Sequence, residues 1–270
     1  MTSGKRLTFA KLLYFLWPST RYKPHRIKQN HLKTASGVYQ QNIGRTLVLA
    51  EFIHHIDSQL PSSRPINVAV VGGYRNEPEI LVLEKLGYQT SVTVFGVEDS
   101  DVYLDLNSKD NYLEDIGMTF DLVLCSQVFE HIWNHQQAIL NIKRLMKEGC
   151  LLWLAAPTSN HAHGLPRYYS AGFTAEYLLN NLREMGVIGI AWGNIGSPRN
   201  YRAIHTIPNW LNSKGHRYPI THGFSNYPFL INLAYSIRYF HNLIAISLIS
   251  PKVTSDISVA SECWVLAKIK

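Results

Sequence analysis

A chain of 270 residues, 46% apolar and 17% charged, buries a full core and excludes a disordered, fibrous or disulfide-stapled protein. Its net charge of +7 is unevenly placed: residues 51–195 carry 9 basic and 17 acidic side chains, the two flanks together 17 and 2. Basic flanks around an acidic middle attract an anionic partner or surface, or else form a solvated basic face.

Residues 1–45 form a basic, aromatic lead-in with no acid before Glu51, and Pro18 and Pro24 break any long helix there. Leu7–Trp17 is apolar, but Lys11 interrupts it and no small-residue cleavage site follows, which argues against a secretory signal. Thr46 is placed to cap a helix reaching Leu60, with Leu49, Phe52, Ile53, Ile56 and Leu60 as its buried stripe. Ile66–Val71 is an apolar strand, Gly72–Pro78 the turn after it, and Pro78 suits the first position of a helix ended by Gly87. Ser91–Glu98 is a second strand ending in an acid, and Val102–Leu106 a third, short one.

The most informative stretch is Phe120–Thr158, which reads strand, turn, helix, turn, strand. Asp121–Cys125 and Cys150–Ala156 are apolar on both faces, the pattern of strands covered by helices on two sides. Between them Asn134 and Gln137 resemble a capping box, and Ala138, Ile139, Ile142, Leu145 and Met146 recur at helical spacing. Thr174 caps a further helix that ends before Gly186, Val187–Trp192 is another strand, and Cys263–Ile269 closes the sheet. The three cysteines, Cys125, Cys150 and Cys263, each lie in a predicted strand without metal-type spacing and read as small buried hydrophobes of a reducing compartment. Strands alternating with helices predict a doubly wound α/β sheet: core 46–195, a closing strand in 259–270, and an aromatic, basic cap insertion over 196–258. Phe229–Ile249 in that cap is long enough for a membrane span, but Arg238 and His241 lie near its middle, where a charge costs ~2.5–3.5 kcal/mol. A buried or interfacial helix is expected instead, with no transmembrane span.

In such sheets ligands bind beyond the carboxyl ends of the strands. Gly72-Gly73 lets backbone approach a ligand closely, and Glu98 lies where an acid accepts hydrogen bonds from ribose hydroxyls. Neither the G-x-G-x-x-G of dinucleotide sites nor a GK[ST] phosphate loop occurs.

The succession VAVVGG, VFGVE, FDLVLCSQVFEHI, a basic helix, GCLLWLAAPT and HGLPRYY…FT resembles the class I S-adenosylmethionine-dependent methyltransferases, in the branch acting on small molecules and glycans. The resemblance covers about residues 46–195 and the last strand, and implies a mostly parallel Rossmann-like sheet with helices on both faces. It implies that Gly72, Gly73 and Tyr74 line the methionine side of the cofactor, Glu98 holds the ribose, Asp105 and Leu106 border the adenine, and Ser126 and Gln127 sit under the sulfonium. Two departures stand out: the family's acid two residues before the first glycine is Val70 here, and its G-x-G-x-G is shortened. Arg75 for the cofactor carboxylate and Glu77 for its amino group are the substitutes the sequence offers.

A hydroxyl acceptor benefits from a general base, for which His131 and His163, near the cleft mouth, are the candidates. Gln127-x-x-Glu130-His131 also resembles the E-x-x-E-H metal segment of some methyltransferases, but Gln127 replaces a carboxylate, and no metal is expected. The resulting expectation is a cytoplasmic methyltransferase forming an O-methyl group on a glycan or related small molecule. Its alternatives are a methyltransferase-like binding module without catalysis and an RNA-directed enzyme. The basic flanks leave room for an anionic partner or peripheral membrane contact, and nothing in the sequence sets the oligomeric state.

Overall fold

The computed structural model describes residues 27–39, 43–56, 59–61, 64–109, 118–159, 167–196, 253, 255, 257 and 260–269. Two helices lead in: α1, Gln29–Ser36, and α2, Ile43–Ile56. β1 is Ile66–Val71, α3 Pro78–Lys85, β2 Thr90–Gly96, β3 Val102–Tyr103 and β4 Leu122–Ser126. A 3-10 turn, Phe129–His131, precedes α4, His135–Leu145; then come β5, Leu151–Pro157, α5, Ala175–Glu184, β6, Val187–Ile195, and β7, Glu262–Ile269.

The strands form one open sheet in the order β3-β2-β1-β4-β5-β7-β6. β1 through β5 pair parallel, while β7 runs antiparallel between β5 and β6. The inner strands are apolar on both faces because both are covered. Val68 and Val70, Leu122 and Leu124, Leu151 and Trp153 pack toward α1, α2 and α3. Ala69 and Val71, Val123 and Cys125, Leu152 and Leu154 pack toward α4 and α5. Trp153 stacks on Trp264 at 5.1 Å and meets the ring of Phe52 edge-on. The three cysteine thiols are buried, and burial pushes all of them up, so they stay protonated packing groups.

Three local readings are corrected. α2 begins at Ile43 and ends at Ile56, and it is buried from Ile43 through Ile53 instead of along one stripe, because α1 packs on it from outside the sheet. Thr46 therefore lies inside the helix, where its hydroxyl donates to the Tyr39 carbonyl at 2.9 Å, and does not cap it. β2 stops at Gly96, two residues before Glu98, and β3 is only two residues long. Both N-caps form: Asn134 Oδ1 accepts from the Gln137 N–H at 3.2 Å and Thr174 Oγ1 from the Tyr177 N–H at 3.1 Å. The reciprocal half of the capping box does not, since Gln137 Nε2 donates to Asn141 Oδ1 and the Asn134 N–H to Asn107 Oδ1. Gly87 and Gly186 take the left-handed conformation just past their helices, at φ 92° and 75°.

Candidate functional site

β1 lies between β2 and β4, so the chain leaves it in one direction for β2 and returns on its other side for β4. That reversal opens the crevice where open α/β sheets take ligands, and Gly72, Gly73, Ser126 and Gln127 stand at its two lips. Gly72 is left-handed, φ 73°, and a Cβ there would lie 2.7 Å from Val128 Cγ1. At Gly73 a Cβ would lie 2.6 Å from Glu77 Oε1 and 3.1 Å from Val70 Cγ1. Glu77 thus stands beside the same glycine as the Val70 side chain, and its Oε1 also accepts the Tyr74 N–H at 3.1 Å. Arg75 turns away: its guanidinium pairs with Asp101 and donates to the Val92 carbonyl, which withdraws it from a cofactor carboxylate.

Beneath the crevice lies a buried charged network that sequence reasoning missed. Arg45 of α2 is 5% exposed; its Nη2 donates to Glu79 Oε2 at 2.7 Å and lies 3.8 Å from Glu77. Its Nη1 is buried without a hydrogen-bond partner among the described residues. Glu79 Oε1 accepts the Ser126 hydroxyl at 2.7 Å, and Glu262 Oε2 accepts the Gln127 amide at 2.9 Å. Burial pushes Glu262 up to about 8 and Glu130 up to about 7, Arg45 drawing both partly back; Glu77 is raised by burial and by Glu79. Burial opposes the charge of Arg45, but Glu79, Glu77 and Glu262 outweigh it and hold the guanidinium protonated. The one sequence signal for this network is that Glu262, one of two acids outside residues 51–195, opens an apolar strand.

Gln127 adopts φ 59°, rare for a residue with a side chain, as does Asp99 at 49° in the turn after β2. Glu98 in that turn is solvated, its side chain 81% exposed and 3.8 Å from Arg167 across the cleft mouth. Asp105 is half-buried and its carboxylate accepts the Asn107 N–H at 2.9 Å, whereas Leu106 is buried in the core. His131 donates from Nδ1 to the Arg167 carbonyl at 2.6 Å, which leaves Nε2 as the basic nitrogen of the neutral ring. Tyr74, Trp133 and Tyr169 are exposed beyond the carboxyl ends of β1, β4 and β5, and Tyr103 is exposed as the last residue of β3. His163 lies outside the described residues, as do Leu7–Trp17 and the larger part of the cap, including Phe229–Ile249. No helix among the described residues is long and apolar enough to cross a membrane.

A family model described as a methyltransferase domain matches residues 89–154. Over that stretch, from the residue before β2 into β5, the class I methyltransferase resemblance has a family model behind it. Glu98, Asp105, Leu106, Ser126, Gln127 and His131 fall inside the match; the glycine turn, His163 and both flanks fall outside. No curated protein matches the chain. Among solved structures, the [4+2]-cyclase SpnF is similar at 14% identity and TM-score 0.47, over 90% of this chain and 93% of that one. Coclaurine N-methyltransferase, solved with N-methylheliamine and SAH, is similar at 12% and 0.47, over 99% and 88%. An O-methyltransferase of a Brevibacillus brevis trans-AT PKS multienzyme, solved with S-adenosyl-L-homocysteine, is similar at 14% and 0.48, over 92% and 82%.

Proposed function

We propose that this chain is an S-adenosylmethionine-dependent methyltransferase that O-methylates a glycan or related small molecule. The observation that carries the reading is the buried guanidinium of Arg45 under the glycine turn, its Nη2 3.8 Å from Glu77 and its Nη1 without a hydrogen-bond partner among the described residues. A free amino-acid end carries a carboxylate and an ammonium, and these two side chains are their counterparts. The cofactor, when bound, supplies a methyl group on a cationic sulfur.

In this reading Gly72, Gly73 and Tyr74 present backbone to the methionine end, and Arg45 and Glu77 hold its two charges. Glu98 holds the ribose, Asp105 and Leu106 border the adenine, and Ser126 and Gln127 underlie the sulfur. His131, through Nε2, or His163 takes the proton of the acceptor hydroxyl. The four exposed aromatic rings at the mouth offer flat faces to a sugar and shield the crevice from water.

Transfer of tritium from S-adenosylmethionine to a panel of glycans and small hydroxyl compounds tests the reading. Labelled product whose formation falls on Tyr103→Ala and Trp133→Ala supports it. Binding of S-adenosylhomocysteine without any labelled glycan withdraws the acceptor class. Failure of the folded chain to bind either nucleoside at millimolar concentration leaves a methyltransferase-like binding module.

A further inference from the structure

Among the described residues, the side chain of Gln127 is held by one group, Glu262, from the far end of the chain. Gln127 sits at the tip of β4 with φ 59°, its N–H bonded to the Ala155 carbonyl at 2.8 Å and its Nε2 bonded to Glu262 Oε2 at 2.9 Å. Glu262 is the first residue of β7, paired with Pro157 of β5 and Ile195 of β6, and is 2% exposed. Arg45 faces it from α2, Glu79 from α3, Glu130 from the 3-10 turn and Tyr39 from the segment before α2, with Cys263 beside it in the chain.

An amide has two unlike ends, and its neighbour decides which one faces outward. An ionised carboxylate only accepts, so it fixes Nε2 toward itself and presents the carbonyl oxygen to whatever lies at the β4 tip. A protonated carboxyl can donate to that oxygen instead, and the amide turns over to present its NH2. We propose that Glu262 is a positioning residue that sets the orientation of the Gln127 amide, so that the β4 tip favours a cationic ligand when Glu262 is ionised and loses that preference when it is protonated. Burial places the changeover near neutral pH, with Glu262 pushed up to about 8. The identity of the ligand pair used below rests on the methyl-transfer reading; the orientation of the amide does not.

The test is calorimetric titration of the full chain with S-adenosylmethionine, cationic at sulfur, and S-adenosylhomocysteine, neutral there, from pH 6.5 to 9. The ratio of the two affinities is expected to shift toward the cation by about fivefold or more across that range. Glu262→Gln, which cannot ionise, and Gln127→Met, which has no amide, each flatten the ratio; the second serves if the first does not fold. A ratio independent of pH in the natural chain, or a slope retained in either variant, overturns the proposal. If neither nucleoside binds, the methyl-transfer reading fails, and the proposal is decided by the side-chain amide 15N signal of Gln127 in the ligand-free chain. A shift centred near pH 8 that disappears in Glu262→Gln sustains it, and a signal that does not move overturns it.

Discussion

Arg45 is the residue on which the buried end of the crevice depends. Its guanidinium satisfies Glu79 directly and stands among Glu77 and Glu262, so replacing it with Met strands carboxylates in an apolar interior. Breaking a buried pair from one side costs about 3–5 kcal/mol, and a urea melt of Arg45→Met is expected to show a loss of that size. Gly72→Ala meets two separate penalties. The left-handed backbone disfavours any Cβ by roughly 1–2 kcal/mol, and the new atom falls 2.7 Å from Val128 Cγ1. A double-mutant cycle with Val128→Ala separates the two: the contact cost is relieved by the pair and the backbone cost is not. Glycines and an acid after β2 can be read from a sequence because local chemistry places them there. Arg45 cannot, because its partners come from α3, the turn before it and β7, and only the folded sheet brings them together.

At the scale of elements, the strands were legible because coverage on both faces leaves an apolar run, broken in β4 only by Ser126 at its tip and unbroken through β5 to Pro157. Helix ends were legible where a side chain or a left-handed glycine closes them, at Asn134, Thr174, Gly87 and Gly186. α2 was misread because periodicity reports one buried face, and a helix sandwiched between the sheet and α1 has no exposed face to supply the contrast. One long-range device at this scale is testable. Asn141 of α4 donates to the carbonyls of Asp105, Leu106 and Ser108 at 3.3, 3.1 and 2.9 Å, pinning the loop after β3 to the helix. Asn141→Leu leaves those carbonyls without their donor and is expected to cost about 1–3 kcal/mol in a denaturant melt. Because Asp105 and Leu106 border the adenine in the proposed site, the same variant weakens S-adenosylhomocysteine binding several-fold. Thr174→Ala, which removes a cap far from the crevice, costs about 1 kcal/mol and leaves that affinity unchanged.

For the molecule as a whole, the buried acids set the pH dependence of stability. Glu262 and Glu130 hold protons up to about pH 8 and 7 in the folded chain, while their ordinary carboxyl value is 4.5. Between these limits the folded state keeps protons that the unfolded state releases, so raising the pH favours unfolding. Stability is expected to be fully present below about pH 4 in respect of these two groups and to decline toward pH 8, by up to about 1 kcal/mol per pH unit for each group. Melting temperatures recorded across that window check the sign, and Glu262→Gln removes the upper part of the decline. The sheet that carries these acids also explains why the crevice lies where it does: its strand order reverses between β1 and β4, and the buried charges gather under that reversal.

The most direct test of a methyl-transfer site at that reversal is calorimetric titration of the full chain with S-adenosylhomocysteine, alone and after Glu77→Gln. The geometry predicts saturable binding at one site per chain, weakened at least about tenfold when Glu77 loses its charge, the worth of a single charge-assisted hydrogen bond. A folded chain that takes up no nucleoside at millimolar concentration, or one that binds it equally well without the Glu77 carboxylate, contradicts the account.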